Sequence, residues 1–289
     1  MRHPIFNIDP AEKIATPLPL ITIIVAVFNG EVTLEQCILS VENQTYAHKQ
    51  LIVIDGGSED GTVSLLQKNA HHIDYWISEK DSGVYSAWNK GLVHAAGEWI
   101  CFLGADDYFF ETSTLEKLVK SLQVVPSVIN VAYSQVMVVN KKGEPLFSVG
   151  DPWDKSSSLF KAGKCLPHQG VMHRNTLFMH QGFFDESFKI GGDYELMLRE
   201  LIQADAFYIP GVISVAMRQG GLSSNPSSSA QAMWDIRRAQ VMHGLSYPSI
   251  FWLWGMAKIY IRSLLWICLG KAGAKKILEF KRKRLGSLK

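Results

Sequence analysis

Two adjacent acids, Asp106 and Asp107, end an apolar run in the segment WICFLGADDY (Trp99–Tyr108). Several apolar residues in a row read as a buried strand, and carboxylates at its carboxyl end stand at the edge where open α/β sheets bind ligands. Two carboxylates side by side repel one another unless a positive charge joins them. A divalent cation carrying a phosphate is the usual joining group. The competing reading is an Asp-rich turn that caps a helix starting near Ser113.

The elements needed to hold such a pair are legible upstream. ITIIVAVF (Ile21–Phe28) is a buried strand, followed by a helix with the capping-box pattern Thr33-x-x-Gln36 and apolar Leu34, Cys37, Ile38 and Val41 at helical spacing. LIVID (Leu51–Asp55) and IDYWISE (Ile73–Glu79) are the next strands. Helices in GGSEDGT onward and in GVYSAWNKGLVHAA separate them from WICFLG. Short strands alternating with helices imply right-handed parallel units, and near-continuous apolarity implies helices on both faces. Beyond Leu122 the pattern changes. VAYSQVMVVNKKGEPLFSVG reads as two strands around a turn at Asn140–Gly143, DPWDKSSSLFKAGKCLPHQG as a long polar loop, and GVMHR as a short strand. GGDYELMLRELIQ reads as a helix beginning near Asp193, AFYIPGVISVAMR as two strand pieces, and PSSSAQAMWDIRRAQVMHG as a further helix.

At 289 residues the chain can build a sizeable core, and its net charge of +2 argues against nucleic acid as a partner. Four scattered cysteines form no CxxC pair, which speaks against a zinc site or disulfide framework and for a reducing, cytoplasmic setting. The first 19 residues read as a loose lead-in without a signal peptide. SIFWLWGMAKIYIRSLLWICLG (Ser249–Gly270) is apolar enough for a membrane span, but Lys258 and Arg262 interrupt it, so a helix lying in the membrane interface fits better. From Lys271 to Lys289, eight basic residues against the single acid Glu279 add attraction to anionic lipid. The competing reading is a helical tail packed on protein.

In their order and spacing, ITIIVAVFNG, LIVIDGGSEDGT, EKDSGVYSAWNKG and WICFLGADD resemble the family 2 glycosyltransferases, over roughly Leu20 to Gly221. The resemblance implies the GT-A nucleotide-diphospho-sugar transferase fold: α/β, a mixed, mostly parallel central sheet with helices on both faces, here with C-terminal amphipathic helices. Residues 20–245 would form the catalytic domain, with a nucleotide-binding half (20–125) and an acceptor half (126–245), and residues 246–289 a basic membrane-associating tail. Val27, Phe28 and Asn29 would then lie beside the nucleotide base, and Asp55 would accept hydrogen bonds from uracil or ribose, with Gly57 allowing close approach. Asp81 matches an acid near the cleft, and Asn89 and Lys90 match polar residues of the following helix. Ser86 departs from the family pattern, where close relatives often carry Asp. Asp106 and Asp107 match a DxD-type site for Mn²⁺ or Mg²⁺, with Asp107 the more direct ligand and Asp106 on the sugar or ribose side.

Inverting transfer needs a general base for the acceptor hydroxyl. Asp193 matches the family's acid at the start of a helix, with Glu195 as the alternative and simple helix capping as the competing reading. His168 and Gln169 match a segment near the donor sugar, where a structural histidine is the alternative. Arg218, with Gly220 and Gly221, matches a segment approaching the pyrophosphate, and GLSSNPSSSA matches a lid that orders over bound donor. The expected activity is inverting transfer of a hexosyl or N-acetylhexosaminyl group from a nucleoside diphosphate donor, foremost a UDP-sugar. The acceptor would be a hydroxyl of a glycan or lipid-linked acceptor, in surface polysaccharide assembly at the inner face of the cell membrane. A nucleotidyltransferase would carry a glycine-rich, arginine-bearing loop where this chain has FNGEVTLEQ, and a dinucleotide oxidoreductase would carry GxGxxG there. A nucleotide-sugar-binding module without turnover remains open, as does the oligomeric state.

Overall fold

The structure, a computed structural model, describes residues 18–220 and 226–264. Its first half alternates as the apolar runs require: β1 (Ile21–Val27), α1 (Leu34–Glu42), β2 (Lys49–Asp55), α2 (Thr62–Lys68), β3 (Tyr75–Ser78), α3 (Val84–Leu92) and β4 (Trp99–Gly104). β1 lies between β2 and β4, with β3 outside β2, and all four run parallel. Alternate side chains feed two cores. Ile23, Val25, Val53 and Leu103 pack with Cys37 and Ile38 of α1 on one face, and Ile24, Ile54 and Phe102 pack with Trp88 of α3 on the other. Burial on both sides is why these strands carry almost no polar residue.

The second half comprises β5 (Tyr108–Phe109), α4 (Thr114–Leu122), β6 (Val131–Val139), β7 (Pro145–Val149), α5 (Trp153–Lys161), β8 (Val171–Arg174), α6 (Asn175–Gln181), α7 (Gly192–Leu201), β9 (Phe207–Arg218) and α8 (Pro226–Met242). The sheet order is β3-β2-β1-β4-β8-β6-β9-β5, with β7 also on β6. β8 runs antiparallel to both β4 and β6, and β9 parallel to β6. β7 and β8 therefore share one edge of β6 while β9 takes the other. The hairpin at Asn140–Gly143 forms as expected: Asn140 Oδ1 accepts the Lys142 and Glu144 N–H groups, and Gly143 adopts φ +84°.

Several expectations are corrected. The capping box does not form: Thr33 caps α1 without a side-chain hydrogen bond, and Gln36 Oε1 accepts from Arg218. The polar stretch after Val149 contains α5, whose Phe160 is fully buried against Trp153 and Tyr194; its serines masked the apolar spacing. The two strand pieces expected in AFYIPGVISVAMR are one strand. Its pairing to β6 skips from Tyr208 to Ile213, where Pro210 lacks an N–H and Gly211 takes φ +72°. The two-residue strand β5 and the helix α6 had no counterpart in the periodicity.

Residues 250–264 form a further helix, α9. Trp252 and Met256 bury against α8, with Trp252 Nε1 donating to the Met233 carbonyl at 2.6 Å. No helix among the described residues is long and apolar enough to cross a membrane. The expected lead-in up to residue 17, the 221–225 part of the lid segment and the basic run from Lys271 lie outside the described residues.

Candidate functional site

The carboxyl ends of β1, β2 and β3 carry the first group of candidate residues. Phe28 is 63% exposed at the mouth, whereas Val27 is buried beneath Gly30. Asn29 adopts φ +52°, a left-handed conformation tolerated by Asn, and its side chain and backbone stitch this loop to the next: Oδ1 accepts from Glu59 N at 2.9 Å and its N–H donates to Ser58 Oγ at 2.7 Å. Asp55 is fully buried. It accepts from the Gly57 and Ser58 N–H groups and from the Ser58 and Ser78 hydroxyls, so its carboxylate clips the β2 loop to β3. Gly57 takes φ +82° against Lys80. Asp81 accepts from Gly83 N, and its carboxylate packs so closely on Gly56 that a Cβ there would come within 2.8 Å.

On α3, Lys90 pairs with Glu79 at 2.8 Å and donates to the Lys80 carbonyl, tethering the loop that carries Asp81. Asn89 faces the opposite half of the molecule, holding the Phe184 backbone and Glu186. The Asn89 hydrogen bond, then those from Ser86 and Ser82 and the Lys90 charge, lower the Glu186 pKa. The acid that Ser86 lacks relative to the family pattern is thus present in space, delivered from the loop before α7.

Asp106 and Asp107 sit in the turn after β4. Their oxygens converge over Gly104, where a Cβ would meet Asp106 Oδ1 at 2.9 Å and Asp107 Oδ2 at 3.2 Å. Burial, then the neighbouring Asp106 charge, push the Asp107 carboxyl up to about 7; the Gly104 and Arg218 N–H groups and the Gln169 side chain pull it back. Two hard oxygen donors meeting over a glycine fit a divalent cation of the Mg²⁺ or Mn²⁺ type, which takes few protein ligands and completes its shell with phosphate and water. No cluster of three or more metal-ligating side chains occurs among the described residues. Arg218 braces this turn: Nε donates to the Asp106 carbonyl at 3.1 Å, Nη1 to the Lys141 carbonyl at 3.1 Å, and the guanidinium lies over the Tyr108 ring.

His168 and Gln169 separate. The His168 ring is buried between Trp88 and Phe102 with its Nε2 3.2 Å from that of His173, and burial lowers both imidazoles' pKa. It is a core residue there, and Gln169 is the one that reaches Asp107. Asp193 is half-buried in the first turn of α7. The residue at the cap is Gly191 and no side chain caps this helix, so the capping reading does not apply. Its carboxylate meets Tyr85 Oη at 3.4 Å, and its charge acts on Cys165 and His168. One short segment therefore runs from Cys165, beside Asp193, to Gln169, on Asp107. Glu195, the alternative base, is buried and paired with Arg199 (2.5 and 2.8 Å) and His243 (2.8 Å).

Two residues that sequence reasoning passed over hold Asp193's loop. Asp235 Oδ2 accepts from the Lys189, Ile190 and Gly191 N–H groups at 3.0–3.3 Å, and Tyr85 Oη donates to the Ile190 carbonyl. Gly191 and Gly192 admit these two side chains, since a Cβ would come within 2.8 Å of Asp235 and 2.9 Å of Tyr85. Only the paired glycines hinted at this close packing in the sequence.

The profile described as Glycosyl transferase family 2 matches residues 22–179. The chain is 30% identical over 185 residues to a PGL/p-HBAD biosynthesis glycosyltransferase of Mycobacterium tuberculosis, covering 63% of this chain and 69% of that one. It is 31% identical over 231 residues to an uncharacterized glycosyltransferase of the same organism, covering 79% and 86%. Among solved structures, S. aureus TarS 1-349 in complex with UDP-GlcNAc superposes with a TM-score of 0.61 at 16% identity, covering 83% of this chain and 71% of that one. The mannosyltransferase PcManGT from Pyrobaculum calidifontis, in complex with GDP-Man and Mn²⁺, gives 0.59 at 16% identity, covering 92% and 80%. In a longer TarS structure, this chain spans 39% of the partner's length. At these identities the structural likeness concerns the fold.

Proposed function

The chain belongs to glycosyltransferase family 2 and has the GT-A fold, and on that premise we propose that it transfers a single sugar, with inversion, from a nucleoside diphosphate donor to the hydroxyl of a glycan or lipid-linked acceptor. A hexosyl or N-acetylhexosaminyl UDP-sugar is the donor we favour, because the neighbour TarS is seen with UDP-GlcNAc. Phe28 offers a face for the base, and the loops knit by Asn29, Asp55 and Asp81 form the ribose and phosphate edge. Asp106 and Asp107 would hold the divalent cation, which when bound neutralises charge on the diphosphate leaving group.

Asp193 is the general base. It takes the proton from the acceptor oxygen as that oxygen bonds to the anomeric carbon and the bond to the diphosphate breaks. The observation carrying this reading is the half-buried Asp193 carboxylate, approached among the described residues only by the Tyr85 hydroxyl at 3.4 Å, whose hydrogen goes to the Ile190 carbonyl, across the 165–169 segment from Asp107. Calorimetry with UDP, GDP and CDP, with and without Mn²⁺, tests the donor half: binding of one nucleotide only with metal is expected. Asp107→Ala should abolish that binding without unfolding the chain. Metal-independent binding, or full activity in Asp107→Ala, overturns the metal assignment.

The site of action we propose is the membrane face in surface polysaccharide assembly, with α9 as the anchor. Ile250, Leu253, Trp254, Tyr260, Ile261 and Leu264 are exposed and repeat at i, i+3, i+4, i+10, i+11 and i+14, one stripe opposite the buried Trp252 and Met256. The basic run from Lys271 supplies the attraction to anionic headgroups. Flotation of the full chain with vesicles containing anionic lipid is expected, weakened by salt and by Trp254→Glu with Ile261→Glu. Equal recovery without vesicles rejects the anchor.

A further inference from the structure

A cavity of about 360 Å³ lies where β7 ends and the chain approaches β8, and no residue discussed so far fills it. Its apolar lining is Val149, Leu166, Pro167 and Met217; Ser148, Ser156, the exposed Cys165 and the Lys164–Asp151 ion pair (3.2 Å) also line it. Each wall segment continues into the site. Pro167 leads to Gln169, which holds Asp107; Met217 precedes Arg218, which holds the Asp106 carbonyl; Cys165 feels the charge of Asp193. In the sheet order, the nucleotide-edge residues belong to β1, β2 and β3, the two acids follow β4, and the cavity belongs to β7, β9 and the approach to β8. In that order the acid pair lies between the nucleotide-edge strands and the cavity, and the cavity borders the Cys165–Gln169 segment that links Asp193 to Asp107.

We propose that this cavity seats the acceptor and selects acceptors with an apolar group, aryl or alkyl, next to the hydroxyl that is glycosylated. This rests on the transferase reading above and names its acceptor class. A volume of this size is at the lower end of small-molecule sites, enough for a ring but not for an extended glycan. The aliphatic part of the lining recovers free energy only from apolar surface, which a free sugar lacks. The Lys164 and Asp151 heads are placed to hydrogen-bond hydroxyls next to the apolar group.

Cys165 makes the cavity measurable in the full-length chain, because Cys37 and Cys101 are buried and serve as internal controls. Iodoacetamide labelling is followed peptide by peptide with phenol, phenyl β-D-glucopyranoside, glucose or UDP with Mn²⁺ present. Saturating phenyl glucoside should slow Cys165 labelling about tenfold, as expected when roughly a tenth of sites remain free, and glucose should not. Leu166→Trp, which fills the cavity, should remove the protection while leaving UDP–Mn²⁺ calorimetry unchanged. Unprotected labelling in the wild type, with nucleotide still bound, overturns the acceptor assignment and leaves the transferase reading standing. Protection by UDP–Mn²⁺ alone makes this a donor subsite and also overturns it. Loss of the transferase reading would be seen separately, as absence of nucleotide binding in the calorimeter.

Discussion

Asp193 and Glu195 are two residues apart in one turn, yet one carboxylate is left with a single 3.4 Å contact while the other is locked by Arg199 and His243. Asp193→Asn should therefore leave nucleotide affinity unchanged and lower kcat by about 10²–10⁴, the range for a lost general base. Glu195→Gln should act through stability. It removes the buried charge that pairs the half-buried Arg199, which keeps only the Gln181 and Phe183 carbonyls; cutting one member of a buried pair costs up to about 3–5 kcal/mol, readable as a lower Tm. If donor affinity collapses in Asp193→Asn, the residue faces the donor and the base lies elsewhere. A third residue-scale test concerns Ser86. Ser86→Asp sets a second carboxylate against Glu186, which Ser86 now donates to. Destabilisation of about 1 kcal/mol is expected, with recovery in the double variant Ser86→Asp, Glu186→Gln. At this scale the sequence was legible where acids end apolar runs. It was not legible where the deciding contact spans the fold, as with Glu186 beside Ser86 or Gln169 on Asp107, because no local pattern reports a partner so far along the chain.

Among the elements, the loop between α6 and α7 depends on a clamp with one jaw on α3 and one on α8. Tyr85 holds the Ile190 carbonyl and the edge of Asp193, and Asp235 collects three consecutive N–H groups. Asp235→Ala leaves those amides, the buried one of Gly191 among them, without an acceptor, a loss of about 1–3 kcal/mol. Because the freed loop carries Asp193, kcat should fall while UDP–Mn²⁺ affinity holds, and Asp235→Asn, which keeps an acceptor oxygen, should restore much of it. Unchanged kcat in a folded Asp235→Ala would reduce the clamp to a purely structural role. The parallel elements β1–β4 were readable because both faces are buried, which leaves an uninterrupted apolar run. α5 was hidden by its serines, and β9 was split in the reading by Pro210–Gly211, although the strand continues past that bulge.

For the whole molecule, the sheet's second face gathers its aromatic rings around two histidines. His168 and His173 lie at 3.2 Å among Trp88, Phe102 and Phe178, and burial lowers the pKa of both below the ordinary imidazole value near 6.5; the Asp193 charge partly offsets this for His168. In the unfolded chain both protonate near that pH, while the folded core keeps them neutral. Their contribution to stability is therefore complete above about pH 6.5 and is lost as pH falls through the depressed folded values. Each histidine that stays neutral removes about 1.4 kcal/mol per pH unit across that window. Asp107 works in the opposite sense. Its carboxyl titrates near 7 in the folded protein against 3.8 for an ordinary Asp, so its contribution is fully present below that ordinary value and is lost as pH rises through about 7. Between these limits the unfolded chain takes up two protons at the histidines and the folded one takes up one at Asp107, so stability still rises with pH. Thermal melts in chelator from pH 8 to pH 5 should show Tm falling on the acid side. His173→Phe removes one titrating group and flattens that fall, whereas Asp107→Asn removes the opposing proton and steepens it. An acid limb that neither substitution alters would show that carboxylates elsewhere govern acid stability, and that the histidine pair is charged in the folded core.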